Sequence, residues 1–246
     1  MSLRKHKQDW EDLGNVDPLW AIFSQPERKY NKWDINEFFI TGDRDVSSVM
    51  ECAVRLGHPA GREIALDFGC GVGRLTRALA RYFRHCYGVD VSESMIAKAK
   101  ELNRSVPNCE FLVNVTENLS IFNENAFDLI YAKWVLQHLP STMMIRSYIA
   151  EFIRTLKPAG LLVFQLRTHL SFKTRLQLGR RLYTVLRALR LNEQFLYERL
   201  RLNPIRVIAI PGQEVIDLLK AIGAQILEVQ TYAVPSGRGK NFYVTK

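Results

Sequence analysis

The run Ala65-Leu66-Asp67-Phe68-Gly69-Cys70-Gly71-Val72-Gly73-Arg74 gathers residue types that bind nucleotides. Three glycines spaced GxGxG stand between an apolar stretch and an amphipathic one. Glycine lets the backbone turn sharply and lets a ligand approach the main chain closely. Asp90 lies twenty-one residues after Gly69 and ends the next apolar stretch. At that offset an acid bonds ribose hydroxyls in nucleotide-binding α/β folds. Two features depart from the dinucleotide fingerprint. The spacing is GxGxG, not GxGxxG, and Asp67 stands two residues before the first glycine. A carboxylate beside the loop would repel a pyrophosphate. It would suit a ligand with a ribose, a cationic centre and an ammonium end.

These residues need a strand–turn–helix frame, and the pattern around them supplies one. From residue 63 onward, short apolar runs alternate with helical stretches. Strands are expected at Ile64–Phe68, Cys86–Val89, Phe111–Val113, Phe127–Ala132 and Leu161–Leu166. Helices are expected over Arg74–Phe83, Ser92–Leu102 and about Ser141–Leu156. Such alternation indicates βαβ units and a parallel sheet. After residue 166 it breaks, with one helix expected at Phe172–Leu191 and a second at Glu193–Leu202. The sheet pattern resumes with a helix at Gly212–Ile222 and strands at Gln225–Tyr232 and Asn241–Thr245. A turn at residues 235–239 joins these into an antiparallel hairpin. Upstream, residues 8–61 read as helical and irregular, with a helix opening at Asp45-Val46-Ser47-Ser48 and stopped at Gly57-His58-Pro59. The division expected is 1–61 as a helical cap and 62–246 as the main domain, with a helical insertion at 168–206.

S-adenosylmethionine has the ribose, the sulfonium and the ammonium that the loop chemistry asks for. The chain resembles the class I S-adenosylmethionine-dependent methyltransferases. ALDFGCGVGR (65–74) and YGVDVSESMI (87–96) are similar to that family's first two motifs. FLVNVTENL (111–119) resembles its adenine-contact loop, and FDLIYAKWVLQHL (127–139) and LKPAGLLVF (156–164) its later strands. The resemblance implies a Rossmann-like, mostly parallel seven-stranded sheet with helices on both faces, and the position of the insertion after the fifth strand suggests a helical lid over the substrate pocket. It implies that Gly69, Cys70, Gly71 and Gly73 line the cofactor, with Asp67 under the loop near the ammonium. Asp90, followed by Val91, would hold the ribose, and Met95 would lie against the adenine. Val115, Thr116 and Glu117 fall at the adenine amino group, and Lys133 at the end of the fourth strand. Phe39 and Thr41 are expected as cofactor neighbours from the amino-terminal segment, against the alternative that these aromatics pack a helix on the sheet.

Methyl transfer is an in-line displacement, so the protein mainly positions the nucleophile. A hydroxyl or amine must also lose a proton. His138 and His169 follow the fourth and fifth strands, where open α/β sheets bind ligands, and are the candidate proton acceptors. Cys70 reads as a small filler of the loop, not a nucleophile.

Charge is placed unevenly. Residues 167–206 hold ten basic and two acidic side chains, while the rest of the chain holds 24 and 23. Three roles compete for this segment: gripping an acidic small molecule, resting on an anionic membrane, or simple solvation. The leading function is methylation of oxygen or nitrogen on a small acceptor. The alternatives are an RNA methyltransferase and a catalytically silent scaffold. No NPPY-like tetrapeptide follows the fourth strand, which weighs against a nucleic-acid substrate.

Composition sets the outer bounds. The chain has 246 residues, 47% of them hydrophobic and 24% charged, which excludes a disordered or fibrous protein. It has no apolar run long enough to span a bilayer, and its first residues lack the apolar core of a secretory signal. Four cysteines without metal-ligand spacing suggest neither zinc nor a disulfide framework, and a cytoplasmic location is expected.

Overall fold

Strands that are apolar on both sides demand cover on both faces. In the computed structural model, which describes residues 2–246, a seven-stranded sheet receives that cover. Its strands are β1 (Ile64–Phe68), β2 (His85–Asp90), β3 (Cys109–Val113), β4 (Phe127–Ala132), β5 (Leu156–Leu170), β6 (Gln225–Val234) and β7 (Gly237–Thr245). The order is β3-β2-β1-β4-β5-β7-β6, with β7 antiparallel to both neighbours and the other pairs parallel. The chain moves outward from β1 to β3, then returns to β4 on the other side of β1. The crevice beyond the carboxyl ends of β1 and β4 is therefore the switch point at which such sheets bind ligands.

The helices are α1 (Leu3–Val16), α2 (Pro18–Ile22), α3 (Ile35–Leu56), α4 (Arg74–Leu79), α5 (Glu93–Leu102), α6 (Thr142–Thr155), α7 (Phe172–Leu176), α8 (Leu178–Ala188), α9 (Glu193–Glu198) and α10 (Gly212–Ala221). Leu66, Ile130, Leu162, Phe164 and Val244 bury one sheet face under α6 and α10. Ala65, Leu129, Tyr131, Val163 and Tyr243 bury the other under α3 and α4. Among the described residues no helix is long and apolar enough to cross a membrane.

Several boundaries differ from expectation. The helix expected to open at Asp45 begins at Ile35. Asp34 caps it by accepting from the Asn36 and Glu37 amides, both at 2.9 Å. The helix expected over 172–191 breaks at Gln177, which takes a left-handed φ of 46° and donates its side-chain amide to the Val207 carbonyl at 2.8 Å. The hairpin arms are longer and the turn tighter, because β5, β6 and β7 continue past the last apolar residues as a polar ladder.

The insertion also faces the opposite way from a helix that shows its arginines to water. Arg180, Tyr183 and Arg187 lie on one side of α8, and that side meets α1. Arg187 holds Asp12 through two 3.0 Å bonds, and the Tyr183 hydroxyl donates to Asp12 at 2.8 Å. Arg180 lies 3.6 Å from Asp9. On α9, the Tyr197 hydroxyl donates to Asp17 at 2.7 Å. The leucine stripe instead points outward, with Leu178 65% exposed and Leu189 67%. Buried carboxylates on α1 need partners more than leucines need cover, since an unpaired buried charge costs several kcal/mol, about 3–5.

Candidate active site

The three loop glycines all require a conformation that L side chains rarely adopt. Gly69, Gly71 and Gly73 have φ of 73°, 53° and 83°. A Cβ at Gly69 would strike Val135, and one at Gly71 would strike Ile22. The loop is thus pressed from both sides, by the segment after β4 and by the end of α2. Asp90 at the end of β2 closes it, its Oδ2 accepting from the Gly71 amide at 2.9 Å and its Oδ1 from the Ser92 amide at 3.0 Å. Each oxygen keeps a lone pair for a ligand hydroxyl. Burial raises the Asp90 pKa, and these backbone donors oppose the rise.

Beyond the loop lies a cavity of about 560 Å³. Gly69, Gly71, Asp90, Val91 and Met95 line one end, with Phe68, Asn114, Leu139 and Tyr148 around them. Lys133, Trp134, Gln137, His138 and Arg167 line the other end, past β4 and β5. The roof comes from α1 (Leu3, His6, Trp10), from residues 21–25, and from Asn203, Ile205 and Val207 after α9. α1 is fastened over the site by Glu11, which accepts from the backbone amides of Glu93 and Ser94 at the start of α5. A room of this size, with apolar walls and few polar groups, suits small ligands.

Other expected site residues lie off the cavity. Asp67 sits beneath the loop, accepting from the Thr76 hydroxyl at 2.7 Å, and burial lifts its pKa to about 6. Cys70 is buried, and burial pushes its thiol well above the ordinary range. Gly73 packs on Asn103 and Phe111. Val115 and Glu117 are exposed, and Thr116 turns its hydroxyl onto Asn114 at 2.8 Å. The buried polar residue at this end is Asn114, one position earlier. Its backbone amide donates to the Asp90 carbonyl at 2.8 Å, and a polar residue directly after β3 was the available signal. Phe39 packs on Trp33 and Phe38 with the Arg77 guanidinium 4.6 Å above its ring. Thr41 accepts from Arg74 at 3.1 Å. These two serve the α3–α4 contact, and the roof comes from residues nearer the amino terminus. His169 is exposed on the polar extension of β5, where it pairs with Arg238 of β7, because the strand runs past the site before it ends.

Lys133 lines the cavity, but its ammonium is taken by Asp45 of α3 at 2.6 Å, and Arg74 holds the other oxygen of Asp45 at 2.8 Å. His138 faces the cavity with Nδ1 donating to the Arg206 carbonyl. Its Nε2 accepts from the Gln137 amide at 3.3 Å. Burial lowers its pKa to about 4, so the ring is neutral near pH 7. Sequence reading missed His6. It too lines the cavity, and burial and its cationic neighbours lower its pKa to about 4. Its ring makes no hydrogen bond among the described residues.

Comparison with known proteins agrees with this geometry. Residues 66–164 match the family described as "Methyltransferase domain". A wheat (Triticum aestivum) phosphoethanolamine N-methyltransferase is 31% identical over 101 residues, covering 41% of this chain and 20% of that protein. A second wheat relative of the same name is 28% identical over 162 residues, covering 60% of this chain and 32% of that protein. The chain thus spans a third or less of these curated relatives. The crystal structure of magnesium protoporphyrin IX methyltransferase from Synechocystis PCC 6803 with bound S-adenosylhomocysteine superposes with a TM-score of 0.65 at 18% identity, covering 100% of both chains. The family's cofactor is S-adenosylmethionine, and the left-handed glycine loop with the Asp90 carboxylate beside it fits a ribose-bearing ligand of that kind. Over residues 66–164 this chain is thus similar to the methyltransferase-domain family, and its sheet has the Rossmann-like fold of the class I S-adenosylmethionine-dependent methyltransferases.

Proposed function

We propose that the protein methylates an oxygen or nitrogen of a small molecule held in the roofed cavity. The observation that carries this is the continuity of one cavity from the glycine loop and Asp90 to the polar groups past β4 and β5. The cofactor supplies a methyl group already activated by its sulfonium. Asp90 would hold the ribose hydroxyls, Met95 and Phe68 would flank the adenine, and Gly69 and Gly71 would let the backbone close on the ligand. α1 and residues 203–207 exclude water and fix the acceptor, which is the main source of rate in such a displacement.

The proton of an amine or hydroxyl acceptor would pass to His6 or His138. Both imidazoles are neutral, the His6 ring makes no hydrogen bond among the described residues, and His138 is oriented by the Arg206 carbonyl. A weak base suffices because the nucleophile becomes strongly acidic as the methyl bond forms. The roofed cavity and the inward pairing of Arg180 and Arg187 favour a small molecule over RNA. The wheat relatives' named substrate is small as well. A cytoplasmic setting goes with the four free cysteines.

The outward face of α8 favours one more contact. Leu178, Leu182, Val185 and Leu189 are exposed beside exposed Lys173, Arg175 and Arg181, a pairing that suits an anionic bilayer surface.

The direct test is calorimetric titration with S-adenosylhomocysteine, followed by transfer of labelled methyl to a panel of small acids, amines and RNA. Saturable binding and labelling of a small acceptor is the expected result. Labelling of RNA alone would overturn the reading.

A further inference from the structure

Arg167 is the one cavity-lining cation among the described residues without a carboxylate partner. Asp45 neutralises Lys133, whereas Arg167 makes no ion pair, and its Nε and Nη1 are buried without a hydrogen-bond partner. The residue is only 8% exposed. Its guanidinium lies against the Trp134 ring at 5.1 Å and the Tyr232 ring at 5.6 Å. Trp134 reaches that position with a φ of 61°, strained for a bulky residue and tolerated mainly at functional sites. Burial lowers the pKa of Arg167, as expected where no counter-charge is present. Folding a guanidinium into such a cage without an anion is costly unless a ligand brings one.

Its place in the sheet shows which ligand. The cofactor groups named above lie at or just beyond the carboxyl ends of β1, β2 and β3, on one side of the switch point. Arg167 lies on β5, on the other side of β4. The Gln137 side chain lines the same cavity and leaves its Oε1 buried without a donor among the described residues.

We propose that Arg167 is the anchor for an anionic group of the methyl acceptor, a carboxylate or phosphate, and that Gln137 Oε1 takes an N–H or O–H of the same molecule. The acceptor is then a small acid that also carries an amine or hydroxyl. This rests on the methyltransferase reading and narrows its substrate class. A planar guanidinium grips either anion through parallel bonds.

The test uses full-length protein saturated with S-adenosylhomocysteine, titrated with inorganic phosphate and, separately, with propionate. Arginine Nε resonances are followed by NMR, and affinities by calorimetry. One of the two anions is expected to bind once and move a single arginine Nε signal, and which one does so separates phosphate from carboxylate acceptors. Arg167→Gln should weaken that anion about tenfold or more, equal to about 1.4 kcal/mol, with S-adenosylhomocysteine affinity held within about twofold. Arg167→Lys should fall between, and Arg181→Gln on exposed α8 should change neither. The proposal is overturned if neither anion moves an arginine signal, or if Arg181→Gln weakens the anion equally. It is also overturned if Arg167→Gln weakens S-adenosylhomocysteine instead, which would assign the guanidinium to the cofactor carboxylate. If Arg167→Gln does not fold, the wild-type NMR shift and Arg167→Lys decide. If wild type fails to bind S-adenosylhomocysteine, the methyltransferase reading falls, and the anion titration of the protein alone still decides the Arg167 site.

Discussion

Asp90 and Gly71 act as one unit. Asp90→Ala removes an acceptor for ribose hydroxyls and also frees the Gly71 amide that the carboxylate holds at 2.9 Å. Loss of hydrogen bonds to a charged group predicts weaker S-adenosylhomocysteine binding by about 1.5–3 kcal/mol, read by calorimetry. Unchanged affinity would sink the ribose assignment. Gly71→Ala should be at least as damaging, because φ is 53° and the new methyl would meet Ile22. Asp90, Val91, Met95, Lys133, His138 and two glycines line the cavity because motif spacing on a strand–turn–helix frame fixes direction as well as position. His6, Trp10 and Asn203 line it too, yet nothing local marks them, since their role comes from α1 and the segment after α9 crossing the site.

The decisive contact between elements is the latch of α8 onto α1. Asp12 is 3% exposed and accepts from Gln8, Tyr183 and Arg187. Burial pushes its pKa up, but those bonds outweigh burial and hold it below the usual carboxylate range. Arg187→Ala should destabilise the roof by about 2–3 kcal/mol, less than the loss of a fully buried partner because Tyr183 and Gln8 remain. Hydrogen exchange should then accelerate in α1 and α8 before the sheet, and uniform acceleration would refute a separable roof. On the opposite side of α8, Leu182→Asp combined with Val185→Asp should abolish co-sedimentation with phosphatidylserine vesicles. Equal binding to neutral phosphatidylcholine vesicles would remove the electrostatic part of that reading. The sequence stripe identified the amphipathic helix, but the acids of α1 decided which side faced inward.

The whole molecule carries a pH dependence set by its two buried imidazoles. The His6 pKa is lowered from 6.5 to about 4 in the fold, so between these values the unfolded chain binds more protons than the native one. Stability therefore rises with pH through this window and falls as pH drops through it, by up to about 3 kcal/mol for His6. His138 acts in the same direction. Asp67 works against them, because its raised pKa of about 6 lets the native state hold a proton that the unfolded chain releases above about 4. His6 and His138 should both stay neutral at pH 5 in an NMR titration. Titration of His6 and His138 near the ordinary imidazole value would refute their burial.

The sequence alone determined the sheet of βαβ units, the glycine turn, the acid at the end of β2 and the final hairpin, because each is written in local periodicity and short spacing. It also marked residues 167–206 as unusual. The packing of distant segments set the rest: α1 rather than the Phe39 segment roofs the cavity, and Arg180 and Arg187 serve the latch. It alone singled out Arg167 as the buried cation without a counter-charge. The physical reason for the roof and its latch lies in the charges of α1 and α8. Pairing of buried charges joins residues more than a hundred positions apart, and no local pattern in the chain records which acid will meet which arginine.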